Sequence, residues 1–436
     1  MCRTLLTTIP KVNVRAFGGE EQDSIQLRVS IGSQHTGEES LTLGTHHRRS
    51  GAPESARMRR LTLVVIAPVA VATLASIIWM WPPGIGAPEQ GGAADQLNGE
   101  VTDVDRGQCR EAIEDNVNGC GNAQVRVSGA AKAVQEVEAP LPNGPGAPKI
   151  HDGDDVVLIL SDSPEGKTYS IVDHQRSIEL WVLAAAFALA LIAFGRWRGF
   201  SALAGLAVTF AVLLLFVVPA IVAGESPLPV AIVGSAAIVL TVLYLTHGFT
   251  LSTTVAVIGT LASLAITGAL SSISVAALHL TGITDDISAS VGTSHSVNME
   301  GLLLAGIVIG SLGVLDDVTV TQSVTVTELA RANPESGFGQ LYRAGSRVGR
   351  SHIASVVNTI ILAYAGSSLP LLILIVANHG SLGEVLTDQV IAQEIARSAV
   401  ATLGLIAAVP ITTGLAALTS SREVLSVSDR TRQEGS

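Results

Sequence analysis

Asp316 and Asp317 are adjacent acids inside Leu302 to Val326, a stretch that is otherwise apolar or hydroxylated and long enough to cross a bilayer. On insertion scales a carboxylate near the middle of a spanning helix costs about 2.5 to 3.5 kcal/mol, while each Leu, Ile or Val returns only about 0.3 to 0.6 kcal/mol. The pair therefore cancels most of the apolar content of its helix. Such side chains must face other helices, water or an ion, which makes them a candidate functional site. Two neighbouring carboxylates in a dry site resist ionising together, so a shared proton or a bound cation is the chemistry they suit. A second reading stands beside it: the acids pair with Arg343, Arg347 or Arg350 just beyond the helix and only fix packing.

Helical spacing sorts the neighbours of the pair into two polar stripes. Asp317, Thr321, Thr325 and Glu328 form one, and Asp316, Thr319 and Ser323 form the other. Gly306, Gly310 and Gly313 precede them and allow another helix to come close, or allow a break at Gly313 that would leave a half-helix end at the acids. Further along, Ser351, Ser355 and Asn358 or Thr359 share a helical face. The Asn358 amide offers an acceptor and two donors, which suits a carboxylate partner or a coordinating oxygen, although a lone Asn between helices is also ordinary glue. The candidate proton or cation site is thus Asp316, Asp317, Thr321, Asn358 and Thr359. His352 is a possible relay or an interfacial cap. Gly259, Ser263, Thr267 and Ser271, four apart, read as a small-residue packing seam.

These residues need a scaffold, and the rest of the chain supplies one. Of 436 residues 48% are hydrophobic and 14% charged, but a polar first 180 residues are averaged with an apolar remainder. Apolar runs of bilayer length occur at 61 to 81, 180 to 195, 202 to 223, 228 to 246, 251 to 280, 302 to 326, 353 to 376 and 396 to 418, which predicts about eight transmembrane helices. The fifth run is long, so its helix is tilted or interrupted near Ser271, Ser272 and Ser274. Arg196, Arg198, Arg331, Arg343, Arg347, Arg350, Arg422, Arg430 and Arg432 all fall on one side, and the short connections 224 to 227, 281 to 301 and 377 to 395 carry no Lys or Arg. By the positive-inside rule both termini are cytoplasmic in a multi-pass protein of the cell membrane. Residues 1 to 56 and 421 to 436 read as disordered tails, with an alternative start at Met58. The first run, preceded by Arg57, Arg59 and Arg60 and ending in Trp79 to Trp81 and Pro82, reads as an uncleaved signal anchor over 57 to 81.

Residues 82 to 178 hold 16 Asp and Glu against 7 Lys and Arg and lie on the outer side. Short strand-like runs at 100 to 104, 124 to 127, 133 to 137, 156 to 160 and 169 to 172 predict a small all-β domain, barrel or sandwich, with an OB-like barrel as one form. Cys109 and Cys120 share this oxidising side; a disulfide between them would contribute about 3 kcal/mol. The other use of two cysteines, metal binding, lacks a CxxC or a Cys/His quartet, and no metal or other cofactor is expected. Asp152, Asp154 and Asp155 lack the Gly and distal Glu of a calcium loop and read as a turn into a strand. The acidic balance argues against nucleic acid as a partner. The lipid bilayer is the expected partner, and oligomeric state has no signal in the sequence.

A strand ending Tyr169-Ser170-Ile171-Val172-Asp173-His174-Gln175-Arg176 follows an N-terminal anchor. Then come helices carrying Gly310-Ser311-Leu312-Gly313-Val314-Leu315-Asp316-Asp317-Val318 and Val357-Asn358-Thr359-Ile360-Ile361-Leu362-Ala363-Tyr364-Ala365-Gly366. Over about residues 60 to 420 this order resembles the YibE/F-like family of multi-pass membrane proteins. The resemblance implies an envelope protein of permease type with no established activity. The family often has Asp in a Gly-Arg-Asp stretch where this chain has Gly349-Arg350-Ser351, so an acid at the start of that helix is missing here. Two functions follow: a permease or secondary transporter of a small solute or cation, or a non-transporting envelope protein whose outer domain binds a partner or ligand. Enzymatic function has no support, since neither an HExxH nor a GxSxG motif is present. Intramembrane aspartyl proteases take their acids from two helices, whereas adjacent residues on one helix point about 100° apart.

Overall fold

The computed structural model describes residues 13–17, 26–30, 56–82, 95–107, 109, 115–128, 134–163, 166–284, 286–294, 296–377 and 382–434. The chain forms two compact units, Met1–Leu61 and Thr62–Ser436. In the first, β1 (Asn13–Phe17) and β2 (Gln26–Ser30) pair antiparallel, Val14 opposite Val29 and Ala16 opposite Leu27. This departs from the expectation of a wholly disordered tail. The alternation is short, only Val14 and Ala16 against Leu27 and Val29, too brief to stand out in a polar segment. Helix α1 (Ala56–Trp79) follows. Ile66, Ile77 and Met80 pack against buried clusters of the helical bundle, and the Trp81 ring stacks on Phe216 at 6.2 Å.

Five strands, β3 (Asp95–Gly107), β4 (Cys120–Ser128), β5 (Val134–Pro140), β6 (Asp155–Ser163) and β7 (Gly166–His174), form an antiparallel sheet in the order β5-β4-β3-β6-β7. Each expected strand core lies inside one of them; Ala133 lies outside the described residues. The long β3 is shared: Asp95 to Glu100 pair with β6, and Gly99 to Gly107 with β4, with a bulge between Val101 and Asp103. The bulge adds twist, and the edge strands β5 and β7 approach each other. Val101, Val125, Val127, Val137, Val156, Leu158 and Ile171 fill the concave side. Gly99 sits where a Cβ would meet Val125 at 2.5 Å, so only glycine fits where the two pairings of β3 overlap. The Asn118 side chain donates to the carbonyls of Pro142 (2.6 Å) and Pro148 (2.7 Å) and accepts from Ile150 N–H (2.8 Å), tying the loops beneath the sheet. Cys109 and Cys120 are joined by a disulfide beside it. His151 N–H donates to Asp154 at 2.8 Å in the turn that opens β6.

Only Gln175 and Arg176 separate β7 from α2 (Ser177–Gly195). The Asp173 carboxylate accepts two bonds from the Arg176 guanidinium, both 2.7 Å. Then come α3 (Trp197–Val212), a π-helical turn (Leu213–Val217), α4 (Val218–Val222), α5 (Pro227–His247), α6 (Leu251–Ala277), α7 (Asp286–Ser294), α8 (Met299–Ala332), α9 (Phe338–Ser367), α10 (Leu369–Ala377), α11 (Leu382–Thr387) and α12 (Gln389–Glu434). Among the described residues, six helical segments are long and apolar enough to cross a membrane: 177–195, 197–222, 227–247, 251–277, 299–332 and 389–421. The apolar part of α1, 64–79, is shorter. Of the alternatives open in the sequence, the breaks do not occur: α6 and α8 run unbroken through Ser271 to Ser274 and through Gly313. The run 202 to 223 falls within the single segment 197–222, with a π turn ahead of Pro219, whose ring cannot take a normal helical turn there. Two expectations change. The expected helix at 353 to 376 begins earlier, at Phe338, and breaks at Ser368, because Pro370 lacks an amide proton and disfavours helical backbone before it. Finally, the expected disordered C-terminal tail continues as α12 to Glu434.

Helices α5, α6, α8 and α12 form the centre, α9 packs on α8 and α12, and α2 lies against α3 with no buried residue of its own. The seam on α6 is buried throughout: each of Ser263, Thr267 and Ser271 donates to the carbonyl four residues earlier. These hydroxyls are thereby satisfied within their own helix. Gly259 has no room for a Cβ against the Thr412 hydroxyl of α12, and Gly404 of α12 has none against Thr267, so the two backbones meet closely at two points of the seam.

Candidate functional site: the polar faces of α8

Helix α8 is capped by Asn298, whose side chain accepts from Gly301 N–H at 2.8 Å, and it packs against α5, α6, α9 and α12. With neighbours on most sides, its two polar stripes take different surroundings. The stripe of Asp316, Thr319 and Ser323 turns inward: Thr319 is fully buried with its hydroxyl 2.6 Å from that of Thr260, and the Ser323 hydroxyl lies 3.0 Å from Ser252 and donates to the Ser252 carbonyl at 2.8 Å. Asp316 is half-buried at the edge of this face. The stripe of Asp317, Thr321 and Glu328 turns outward and is exposed, in line with Gly306, Gly310 and Gly313.

Between the stripes sits Gln322, 2% exposed, to which the spacing assigned no role. Its amide donates to the Gly345 carbonyl of α9 at 2.8 Å and to the Thr413 hydroxyl of α12 at 2.7 Å, joining three helices at one point. Gly345 and Gly349 make this possible. A Cβ on Gly349 would meet Val409 at 2.5 Å and the Gln322 oxygen at 2.9 Å. A polar residue amid i, i+4 glycines of a facing helix is a signal the sequence does contain, but pairing α8 with α9 has to be known before it can be read.

The carboxylates of Asp316 and Asp317 have no ion pair and no hydrogen bond to another side chain among the described residues. In particular, Arg343, Arg347 and Arg350 are exposed and form no ion pair with them. The one contact at this level is to the backbone: the Thr319 hydroxyl donates to the Asp316 carbonyl at 3.1 Å. His247, the last residue of α5, lies within electrostatic reach of both Asp317 and Arg198, a neighbourhood the linear order hides.

The structure does not bring the remaining expected residues to the acids. Asn358 and Thr359 lie on the exposed face of α9 with Ser351 and Ser355, and the Thr359 hydroxyl donates to the Ser355 carbonyl at 3.3 Å. His352 is half-buried on the same helix. From α9 it is Tyr364 that reaches α8, its hydroxyl 3.3 Å from where a Cβ of Gly310 would stand. Arg397 of α12 lies over the Tyr364 ring at 6.0 Å from its centroid. The outward face of α8 is therefore flanked by Tyr364 on the α9 side.

A family model described as YibE/F-like protein matches residues 183–422. No curated protein and no solved structure matches. The match begins in α2 and ends in α12, so it takes in α8 with its paired acids, the glycines of α9 that receive Gln322 and the seam of α6 on α12. It covers more than half of the chain, and the chain belongs to the YibE/F-like protein family.

Proposed function

We propose that this family member is a multi-pass protein of the cell membrane, with both termini cytoplasmic, that moves a small solute or cation through its helical bundle by binding a proton or cation at Asp316 and Asp317. The observation that carries this reading is the contrast on α8: Thr319, Gln322 and Ser323 all have partners on neighbouring helices, while the two carboxylates beside them form no ion pair and no hydrogen bond to another side chain among the described residues. Acids without a partner in a bilayer-length helix are costly and are kept where an ion or proton visits them. In this scheme Thr321 lines the same face as Asp317, and Asn358, Thr359 and His352 belong to the polar side of α9 that a passing ion would meet. The outer domain is a ligand-free spacer in this reading. Its strand order, with a long bulged first strand shared by two hairpins and edges that approach, supports an OB-like barrel.

Proteoliposomes carrying a pH-sensitive dye test the proposal. An imposed sodium or potassium gradient should change the internal pH with the wild-type protein, and Asp317→Asn or Asp316→Asn should reduce the change to that of protein-free vesicles. A wild-type protein that moves neither protons nor these cations, or Asn variants that move them as fast, would overturn it.

A further inference from the structure

The outer part of α12 carries a second polar cluster, which neither the sequence patterns nor the reading of Asp316 and Asp317 takes up. Arg397 donates to Glu394 at 3.0 Å, and its guanidinium lies over Tyr364 of α9. Gln393, four residues before Arg397 and so its neighbour on the helix surface, is 3% exposed. Both charged side chains are partly buried, 29% exposed for Arg397 and 23% for Glu394, in a segment apolar enough to cross a membrane. Three of their polar atoms are buried without a hydrogen-bond partner among the described residues: Gln393 Nε2, Glu394 Oε2 and Arg397 Nε. A buried ion pair is favourable only when its remaining protons and lone pairs are also satisfied, and this one is satisfied on one side only.

The unused groups define what would complete them. Gln393 Nε2 and Arg397 Nε are donors, and Glu394 Oε2 is an acceptor. We infer that this cluster binds a small zwitterion, an oxyanion that accepts from Arg397 and Gln393 and an ammonium group, a few bonds away, that donates to Glu394. The chemistry is shared by a free amino acid and by the phosphoethanolamine headgroup of a lipid. Tyr364 lies beside the guanidinium, its ring centroid 6.0 Å from the central carbon, so the ligand would have to displace neighbouring side chains to reach the buried Nε. The site stands whether or not Asp316 and Asp317 bind an ion, since it shares no residue with them.

The test uses the full-length protein in detergent and reads its thermal midpoint. Glycine, acetate and ethylamine are added separately, and mixed micelles with phosphatidylethanolamine are compared with phosphatidylglycerol. Glycine or phosphatidylethanolamine should raise the midpoint by about 3 °C or more at saturating concentration. Acetate, ethylamine and phosphatidylglycerol should not, and which of the two zwitterions acts identifies the source. Arg397→Lys keeps the charge but removes Nε, and it should abolish the shift; Gln393→Leu should do the same and stands in if the Lys variant does not fold. Absence of a shift with either zwitterion, as expected if buried water alone completes these groups, overturns the inference. So does a shift that survives Arg397→Lys or Gln393→Leu.

Discussion

Gln322 is the residue on which the centre of the bundle depends most. Its one amide nitrogen serves a backbone carbonyl of α9 and a hydroxyl of α12, both buried. Leucine would fill a similar volume but leave the Thr413 hydroxyl without its donor, at about 1 to 3 kcal/mol, while the Gly345 carbonyl would lose its second bond and keep the one within α9. Gln322→Leu should therefore lower the unfolding free energy in detergent by a few kcal/mol on the same scale. The double change with Thr413→Val should recover part of the loss by removing one orphaned group. An unchanged midpoint for the single variant would mean that these bonds carry little of the packing. The acids about one and a half turns away are opposite in kind. They break no bond when neutralised, so Asp316→Asn and Asp317→Asn should stay within about 0.5 kcal/mol of the parent. A loss of stability beyond that would reveal a counter-charge and return the pair to a packing role.

The elements were legible in the sequence where composition decides them. Runs of apolar residues gave the helices, alternation gave the five strands, and four-residue spacing of Gly259, Ser263, Thr267 and Ser271 gave the seam of α6 on α12. What composition does not encode is which face of a helix meets which neighbour. Asp316 and Asp317 are adjacent letters, yet one turns to the edge of the core and the other out of it, and Asn358 looks inward on paper but lies on the exposed side of α9. Breaks were equally hard to see because each depends on a local detail: Pro370 ends α9, whereas Gly313 and the serines of α6 leave their helices intact.

At this scale the seam makes a sharp prediction. Gly259→Ala would drive a methyl group into the Thr412 hydroxyl and force α6 from α12, costing about 1 to 3 kcal/mol, and Thr412→Ala should restore room and stability. A Gly259→Ala protein with an unchanged melting midpoint would show that the helices are not in contact there. The junction between β7 and α2 offers a test by pH. Arg176 holds the Asp173 carboxyl below its ordinary value of 3.8, first through their hydrogen bonds and with help from the His174 amide. A carboxyl depressed in the folded state contributes stability that is present above its ordinary value and lost as pH falls through the lowered one. Amide exchange at the start of α2 should accordingly quicken below pH 3.8, and Asp173→Asn should exchange fast at every pH.

At the scale of the whole molecule, what remains is which side of the membrane each part occupies. The helical bundle and the sheet were legible from composition, but sidedness rests on the distribution of arginines and on one covalent bond. Arg196 joins α2 to α3, Arg198 lies in the first turn of α3, Arg331 in the last turn of α8, and Arg343, Arg347 and Arg350 in the first half of α9; these positions share one side if the spanning segments from α2 to α8 cross in turn, and insertion favours the cytoplasm for such charges. The Cys109–Cys120 disulfide favours the opposite side, because a bond of this kind persists where the environment is oxidising. The two signals are independent and agree, which predicts that residues 95 to 174 lie outside and the α8–α9 connection inside. A membrane-impermeant maleimide applied to intact cells decides it with single cysteines placed in the Cys2→Ser/Cys109→Ser/Cys120→Ser background. A cysteine at Asn143 should label from outside, and one at Glu335 should label only after the cells are opened. In the parent protein neither Cys109 nor Cys120 should label until a reductant is added. Labelling at Glu335 in intact cells, or free thiols at both positions without reductant, would place the sheet in the cytoplasm and reverse the orientation of α8 in the membrane.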